Sequence, residues 1–207
     1  MRMTLRAILK IAALLCAATS VHATTLARLS LDQLAAAADA TARVRCSSAQ
    51  SRWENGQIWT FTSFDVLETI KGTLPARITV RLPGGRVGHF TAIVDGTPKF
   101  NAAEEVVVFL ERIPGGLKVE PAPFPGGLKV EPAPGGGFSV AAWVEGTFRI
   151  RRDPRTGIET VTQDSSNFAV FDTATRTFHT EGIRRMPMQQ FRERVATALT
   201  RAQEKSR

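Results

Sequence analysis

Glu105-Val106-Val107-Val108-Phe109-Leu110-Glu111 places five consecutive apolar residues between two carboxylates. Side chains alternate faces along a strand, so an unbroken apolar run needs cover on both sides. The stretch therefore predicts a central strand with one layer above it and another below. Upstream, Thr41 to Cys46 alternates polar and apolar residues, the period of a half-buried strand. Glu54-Asn55-Gly56-Gln57 follows, and Asn-Gly is a strong hairpin signal because both residues tolerate positive φ. The return strand runs from Ile58 to near Thr69, with Lys71-Gly72 ending it. Arg77 to Leu82 and Phe90 to Val94 read as two more strands around a Pro83-Gly84-Gly85 turn, and Asp95-Gly96-Thr97-Pro98 turns the chain again.

Downstream, Pro114 to Gly137 holds 13 of the 27 Gly and Pro residues and repeats Pro-Gly-Gly-Leu-Lys-Val-Glu-Pro-Ala-Pro at 114–123 and 125–134. Two ten-residue copies are too few for a solenoid, so the segment reads as a Pro/Gly-rich repeat loop, where insertion costs little closure entropy. A Pro-rich docking segment is the functional alternative. Phe138 to Val140, Trp143 to Arg151, Ile158 to Val161 and Asn167 to Phe171 resume strand character, with a tight turn at 153–157.

Two helices flank this β-structure. Ser30-Leu31-Asp32-Gln33 is a capping-box pattern opening a short helix. Beyond Pro187, Met188, Phe191, Val195, Leu199 and Ala202 form one apolar stripe, whose mixed-charge opposite face favours docking on the protein's own core. The fold class expected is mainly β: an antiparallel OB-like barrel or open sandwich with a short N-terminal helix and a C-terminal amphipathic helix.

Residues 1–23 read as an export signal: Arg2, Arg6 and Lys10 precede an apolar stretch from Ile11, and Val21-His22-Ala23 offers a cut before Thr24. The stretch is too short to span a bilayer, so no stable membrane anchor is expected. Residues 24–207 then form a single β-rich domain, exported to the periplasm or the medium. Cleavage removes three basic and no acidic residues, leaving +5 of the formal +8. Export makes nucleic acid an unexpected partner for that charge. Cys46 would be the one cysteine left, which excludes an intramolecular disulfide and a Cys-rich metal site.

Motifs for catalysis are missing: there is no His-Glu-x-x-His, paired Cys, Walker loop or EF-hand. No catalytic residues, metal or cofactor are assigned. The leading expectation is a non-catalytic binding or interaction module for an unknown protein or an anionic ligand. Its candidate residues are Arg86 and His89, in the glycine-rich loop 83–89, with Trp53 beside the Asn-Gly turn and Phe100. A hairpin whose glycines only satisfy positive φ is the plainer reading of that loop. Arginines at 43/45, 77/81 and 149/151 would line one oxyanion-gripping face if their strands were neighbours; a solvated face with scattered Glu partners is the alternative. A secreted hydrolase or metal-dependent enzyme would need His89 and His179 to meet Asp95 or Glu181.

The order short helix, Arg43-Val44-Arg45, Trp53, Thr60, Val66-Leu67-Glu68, Lys71-Gly72, Pro83-Gly84-Gly85, Val94 to Phe100 and Glu104 to Leu110 resembles a group of exported bacterial proteins that carries no established activity. The resemblance covers Leu29 to Leu110 and implies a shared fold and export. The layout is also distantly similar to netrin-like OB barrels, including metalloproteinase inhibitors. Those inhibitors chelate the protease metal through an N-terminal cysteine, whereas a chain starting at Thr24 has none before Cys46, and no site residues carry over.

Overall fold

The computed structural model describes residues 29–113, 118–121, 128–131, 137–167, 170–172, 176–179 and 182–205. The expected export signal lies outside them. Helix α1 (Leu31–Ala37) starts with the capping box intact: the Gln33 amide donates to Ser30 Oγ (3.2 Å), and the Ser30 amide donates to Gln33 Oε1 (2.7 Å). Lys71 Nζ donates to the Ala35 and Ala38 carbonyls, putting a cation at the helix's C-terminal end.

The strands in chain order are β1 (Ala40–Glu54), β2 (Gln57–Lys71), β3 (Arg77–Pro83), β4 (Gly85–Val87), β5 (Phe90–Ala92), β6 (Glu105–Ile113), β7 (Lys118–Pro121), β8 (Leu128–Glu131), β9 (Gly137–Val140), β10 (Thr147–Arg152), β11 (Glu159–Gln163), β12 (Val170–Asp172), β13 (Thr177–His179) and β14 (Met186–Pro187). A 3-10 turn covers Asp164–Asn167, and helix α2 (Met188–Lys205) closes the order.

Eight strands form one sheet in the order β1-β2-β3-β9-β6-β10-β11-β14. Its two parts meet because β1 pairs with β6 as well as β2, so β1-β2-β3-β9-β6 partly closes into a ring. Register shifts at Thr41/Ala42, Arg43/Val44 and Cys46/Ser48 bend β1 between its two partners. The sheet is mixed, not wholly antiparallel as the sequence led us to expect. β9 runs antiparallel to β6 but parallel to β3, meeting it at Val80 and Phe138.

β6 behaves as its composition requires. Val106, Val108 and Leu110 point into the ring with Val44, Phe64, Val80 and Phe138. Val107 and Phe109 point the other way, into a second core with Leu34 of α1, Phe148, Val161, and Phe191 and Val195 of α2. Rings of Phe109, Phe148 and Phe191 stack in series at 5.6 and 4.9 Å. Met188, Phe191 and Val195 of the α2 stripe are buried on the domain itself, Leu199 packs partly buried against the same core, and Ala198, outside the expected stripe, is buried with them.

One expected strand starts late. Residues 141–146 turn, with Ala142 and Trp143 at positive φ, and β10 begins only at Thr147. A Cβ on Gly146 would fall 2.1 Å from the Ala141 carbonyl oxygen, so this turn depends on glycine. Within the repeat, the two copies pair with each other as the hairpin β7–β8. In backbone register, Lys118 stands opposite Glu131 and Glu120 opposite Lys129.

Candidate functional site

The β1–β2 hairpin ends at Asn55-Gly56, both at positive φ, and Trp53 lies just before that turn. The short β4–β5 hairpin packs against β1 and β2 beneath it. Three bonds fix its base: the Gly84 amide donates to the Ile58 carbonyl (2.8 Å), Thr60 Oγ1 donates to the Gly84 carbonyl (2.7 Å), and the Ser51 and Thr60 hydroxyls are 2.9 Å apart. Gly85 approaches so closely that a Cβ there would lie 2.2 Å from Ser51 Oγ and 2.3 Å from Thr60 Oγ1. Any side chain there would force the Ser51 and Thr60 side chains, or β4 itself, to shift.

Gly88-His89 is the two-residue turn of that hairpin. Gly88 sits at φ +59°, as the first central position of a type II′ turn requires. His89 and Arg86 are both exposed, and Arg86 Nε donates back to the Gly88 carbonyl (3.3 Å). Phe90, the next residue, meets Trp53 edge to face, with centroids 5.7 Å apart and planes at 75°. Trp53 is 50% exposed, Phe90 65% and Ile93 75%, three large apolar side chains left open among the described residues.

Behind this group lies a cavity of about 170 Å³ lined by Thr60, Leu82, Gly85, Ala92, Thr97 and Phe100. The Thr97 hydroxyl is buried there with no hydrogen-bond partner among the described residues. Phe100 is half-buried and stands on the cavity wall, edge-on to Phe64 at 4.9 Å. The structure thus gathers Trp53, Arg86 and His89 around the β4–β5 hairpin and sets Phe100 deeper, at the end of the ring core. Phe90 and Ile93 escaped the sequence reading because Phe90 to Val94 reads as an ordinary strand. The missed signal was length: β5 spans three residues and leaves Ile93 beyond it.

Outside the ring, beside the same hairpin, guanidinium groups lie over aromatic rings: Arg52 Cζ is 3.7 Å from the Phe61 centroid and Arg81 Cζ 3.7 Å from that of Trp59. Arg81 also pairs with Glu54 at 2.8 Å.

The three arginine pairs do not share a face. Arg43 is level with Val107, which is level with Phe148, whereas Arg149 is level with Val106 and Val44. A one-residue phase difference puts Arg43 on the helix side of the sheet and Arg149 on the ring side. Most of these side chains meet carboxylates. Arg43 binds Glu159 through both terminal nitrogens (2.9 Å each) and Glu105 (2.5 Å), Arg45 binds Glu105 (2.6 Å), and Arg77 binds Asp65 (2.9 Å). Arg149 grips Asp164 with two 2.7 Å bonds and Glu104 at 2.6 Å, while its guanidinium lies 5.3 Å from the Phe100 centroid. Burial alone would push the Glu105 carboxyl up, but Arg45 and Arg43 outweigh it and hold it below the usual range.

Among the described residues, no group of three His, Cys, Asp or Glu is placed to hold a metal ion, and no helix is long and apolar enough to cross a membrane. The acid–histidine grouping turns on Glu181 and the His179 side chain, which lie outside the described residues. Comparison with protein-family models, with curated proteins and with solved structures returned no match.

Proposed function

We propose that this protein is an exported, non-catalytic binding module that engages a partner protein at one end of an OB-type barrel. The observation that carries the reading is the exposed edge-to-face pair Trp53 and Phe90, with Arg86, His89 and Ile93 exposed on or next to the same hairpin. A folded chain exposes single apolar side chains freely, but exposed apolar side chains in mutual contact beside polar residues mark an interaction surface. Aromatic and arginine side chains are also the types that dominate binding energy at protein interfaces.

The barrel assignment is supported by strand order. Counting only the ring, the first strand (β1) pairs with the second (β2) and the fourth (β6), and the third (β3) runs parallel to the fifth (β9). In OB-type barrels the loop between strands one and two and the loop between four and five flank the ligand. Here the first of these is the Asn55-Gly56 hairpin beside Trp53, and the second is the Pro/Gly repeat.

The test uses wild type and Trp53→Ala/Phe90→Ala as paired baits against periplasmic extract and culture medium. A partner captured by wild type is then purified and titrated against both proteins. The double substitution should weaken binding at least thirtyfold, given that truncating a central aromatic commonly costs about 2 kcal/mol or more. Equal affinity for the two proteins, with both folded by circular dichroism, would remove the basis for this reading.

A further inference from the structure

Past β6, the ring-side face of the sheet continues onto β10 and β11 and forms an open groove of about 810 Å³. Five arginines line it, at 149, 151, 152, 184 and 185, against two carboxylates, Asp153 and Asp164. Both carboxylates are engaged. Asp164 is gripped bidentately by Arg149, and Asp153 accepts the Arg155 and Thr156 amides of its own turn at 2.8 and 3.1 Å. Arg152 reaches Glu159 at 2.8 Å. The Arg151 and Arg185 side chains have no acidic partner among the described residues, whereas arginines at 43, 45, 77, 81, 149, 152, 192 and 201 all do. Arg151 and Arg185 thus bring two guanidinium groups without an acidic partner among the described residues to one groove.

Hydroxyl donors stand beside it. Thr162 Oγ1 accepts the Arg185 amide at 3.1 Å, which leaves its own proton to donate. Ser166, on the groove wall, is 1% exposed, and its Oγ has no hydrogen-bond partner among the described residues. A buried hydroxyl without a partner is costly unless something supplies one.

We propose that this groove is a binding site for phosphoryl oxyanions, distinct from the aromatic group around Trp53. Its donors come from separate segments: Arg151 from β10, Thr162 from β11, Ser166 from the 3-10 turn, and Arg185 from the stretch preceding β14. A planar carboxylate presents two oxygens in one plane, whereas a tetrahedral phosphoryl group presents oxygens in several directions and takes donors from all of them. The groove is wider than a single phosphate needs, so a ligand with two or more linked phosphoryl groups fits it best.

The experiment is calorimetric titration of the full chain with tripolyphosphate, beside citrate and vesicles of phosphatidylglycerol. One saturable site for tripolyphosphate is expected. Arg151→Gln and Arg185→Asn should each weaken it about tenfold, and Ser166→Ala about threefold, as loss of a charged and a neutral donor implies. Asn is chosen at 185 because φ there is +48°, a region Asn tolerates. Arg155→Gln, which removes the same charge from the neighbouring turn outside the groove, should change nothing. If Arg185→Asn does not fold, Arg151→Gln on the open strand face carries the comparison. Vesicle binding that needs Arg151 makes a lipid headgroup the source of the phosphoryl group, and binding of soluble tripolyphosphate alone makes it a free phosphoryl compound. Absence of saturable binding in either form, equal affinity for citrate, or an equal loss in Arg155→Gln would overturn the proposal.

Discussion

Acid should loosen this fold through one carboxylate whose contribution can be isolated. Arg43 on β1 and Arg152 on β10 converge on Glu159 at the start of β11, with contacts of 2.8 to 2.9 Å. These hydrogen bonds hold the Glu159 carboxyl down to about 2, against an ordinary value of 4.5. A carboxyl whose folded pKa is depressed adds stability that is fully present above its unfolded pKa. That stability is lost as pH falls toward the folded value. Here the window runs from about 4.5 down to about 2. At roughly 1.4 kcal/mol per pKa unit the ceiling is about 3 kcal/mol. The Glu159 side chain is 17% exposed and Arg152 67% exposed, so solvent screening brings the expected figure to about 1–2 kcal/mol. Glu159→Gln removes the titration while leaving Arg43 its second partner, Glu105. Urea unfolding of both proteins between pH 7 and pH 2.5 is the assay. Other carboxylates titrate in both chains, so their difference reports Glu159. Wild type should be the more stable by about 1–2 kcal/mol above pH 5, with the gap closing below pH 4.5. A gap that is independent of pH, or one that widens on acidification, would mean that Glu159 is not held ionised by Arg43 and Arg152 in the folded protein.

Two further outcomes follow from burial. Phe109→Ala removes the middle of the contact between β6, β10 and α2 and should cost about 3–5 kcal/mol, lowering Tm by roughly 10 °C; a loss under about 1 kcal/mol would mean the helices do not pack as described. Cys46 is 1% exposed, and burial pushes its thiol up, so alkylation of the Cys46 peptide, followed by mass spectrometry, should be slow in native buffer at pH 8 and fast in urea. Equal rates in the two conditions would show that β1 is open where the structure has it closed.

What the sequence disclosed depended on how local the cause was. The run 105–111 announced burial on both faces because alternation along a strand is a property of the strand alone, and both cores found it. The Ser30 capping box and the Asn55-Gly56 hairpin are equally local. The parallel contact of β3 with β9 was not legible, since it arises where the sheet partly closes on itself and rests on Val80 meeting Phe138, 58 positions apart. Trp143 read as strand because it is apolar, but Ala142 and Trp143 take positive φ in a turn that only Gly146 can close. The arginine pairs looked like one face because each pair is internally in phase. The phase between β1 and β10 is set by β6, and no pattern within either strand contains it.

Arg149 decides how the two proposed surfaces can be separated by mutation. Its guanidinium belongs to the groove wall, yet it also donates to the Lys99 carbonyl at 2.7 Å and lies over Phe100, both of which line the cavity behind Trp53. Removing it would leave Asp164 and Glu104 without their cation, because both carboxylates meet in that one side chain. The same change would strip a face from Phe100. A loss of binding in an Arg149 variant therefore cannot be attributed to either surface. Arg151 and Arg185 touch no part of the ring cavity, and Trp53 and Phe90 touch no part of the groove, so these pairs test the two proposals independently. Should Arg151→Gln and Trp53→Ala each impair the binding of one ligand, the two surfaces would belong to a single extended site running past Phe100, with Arg149 as its shared wall.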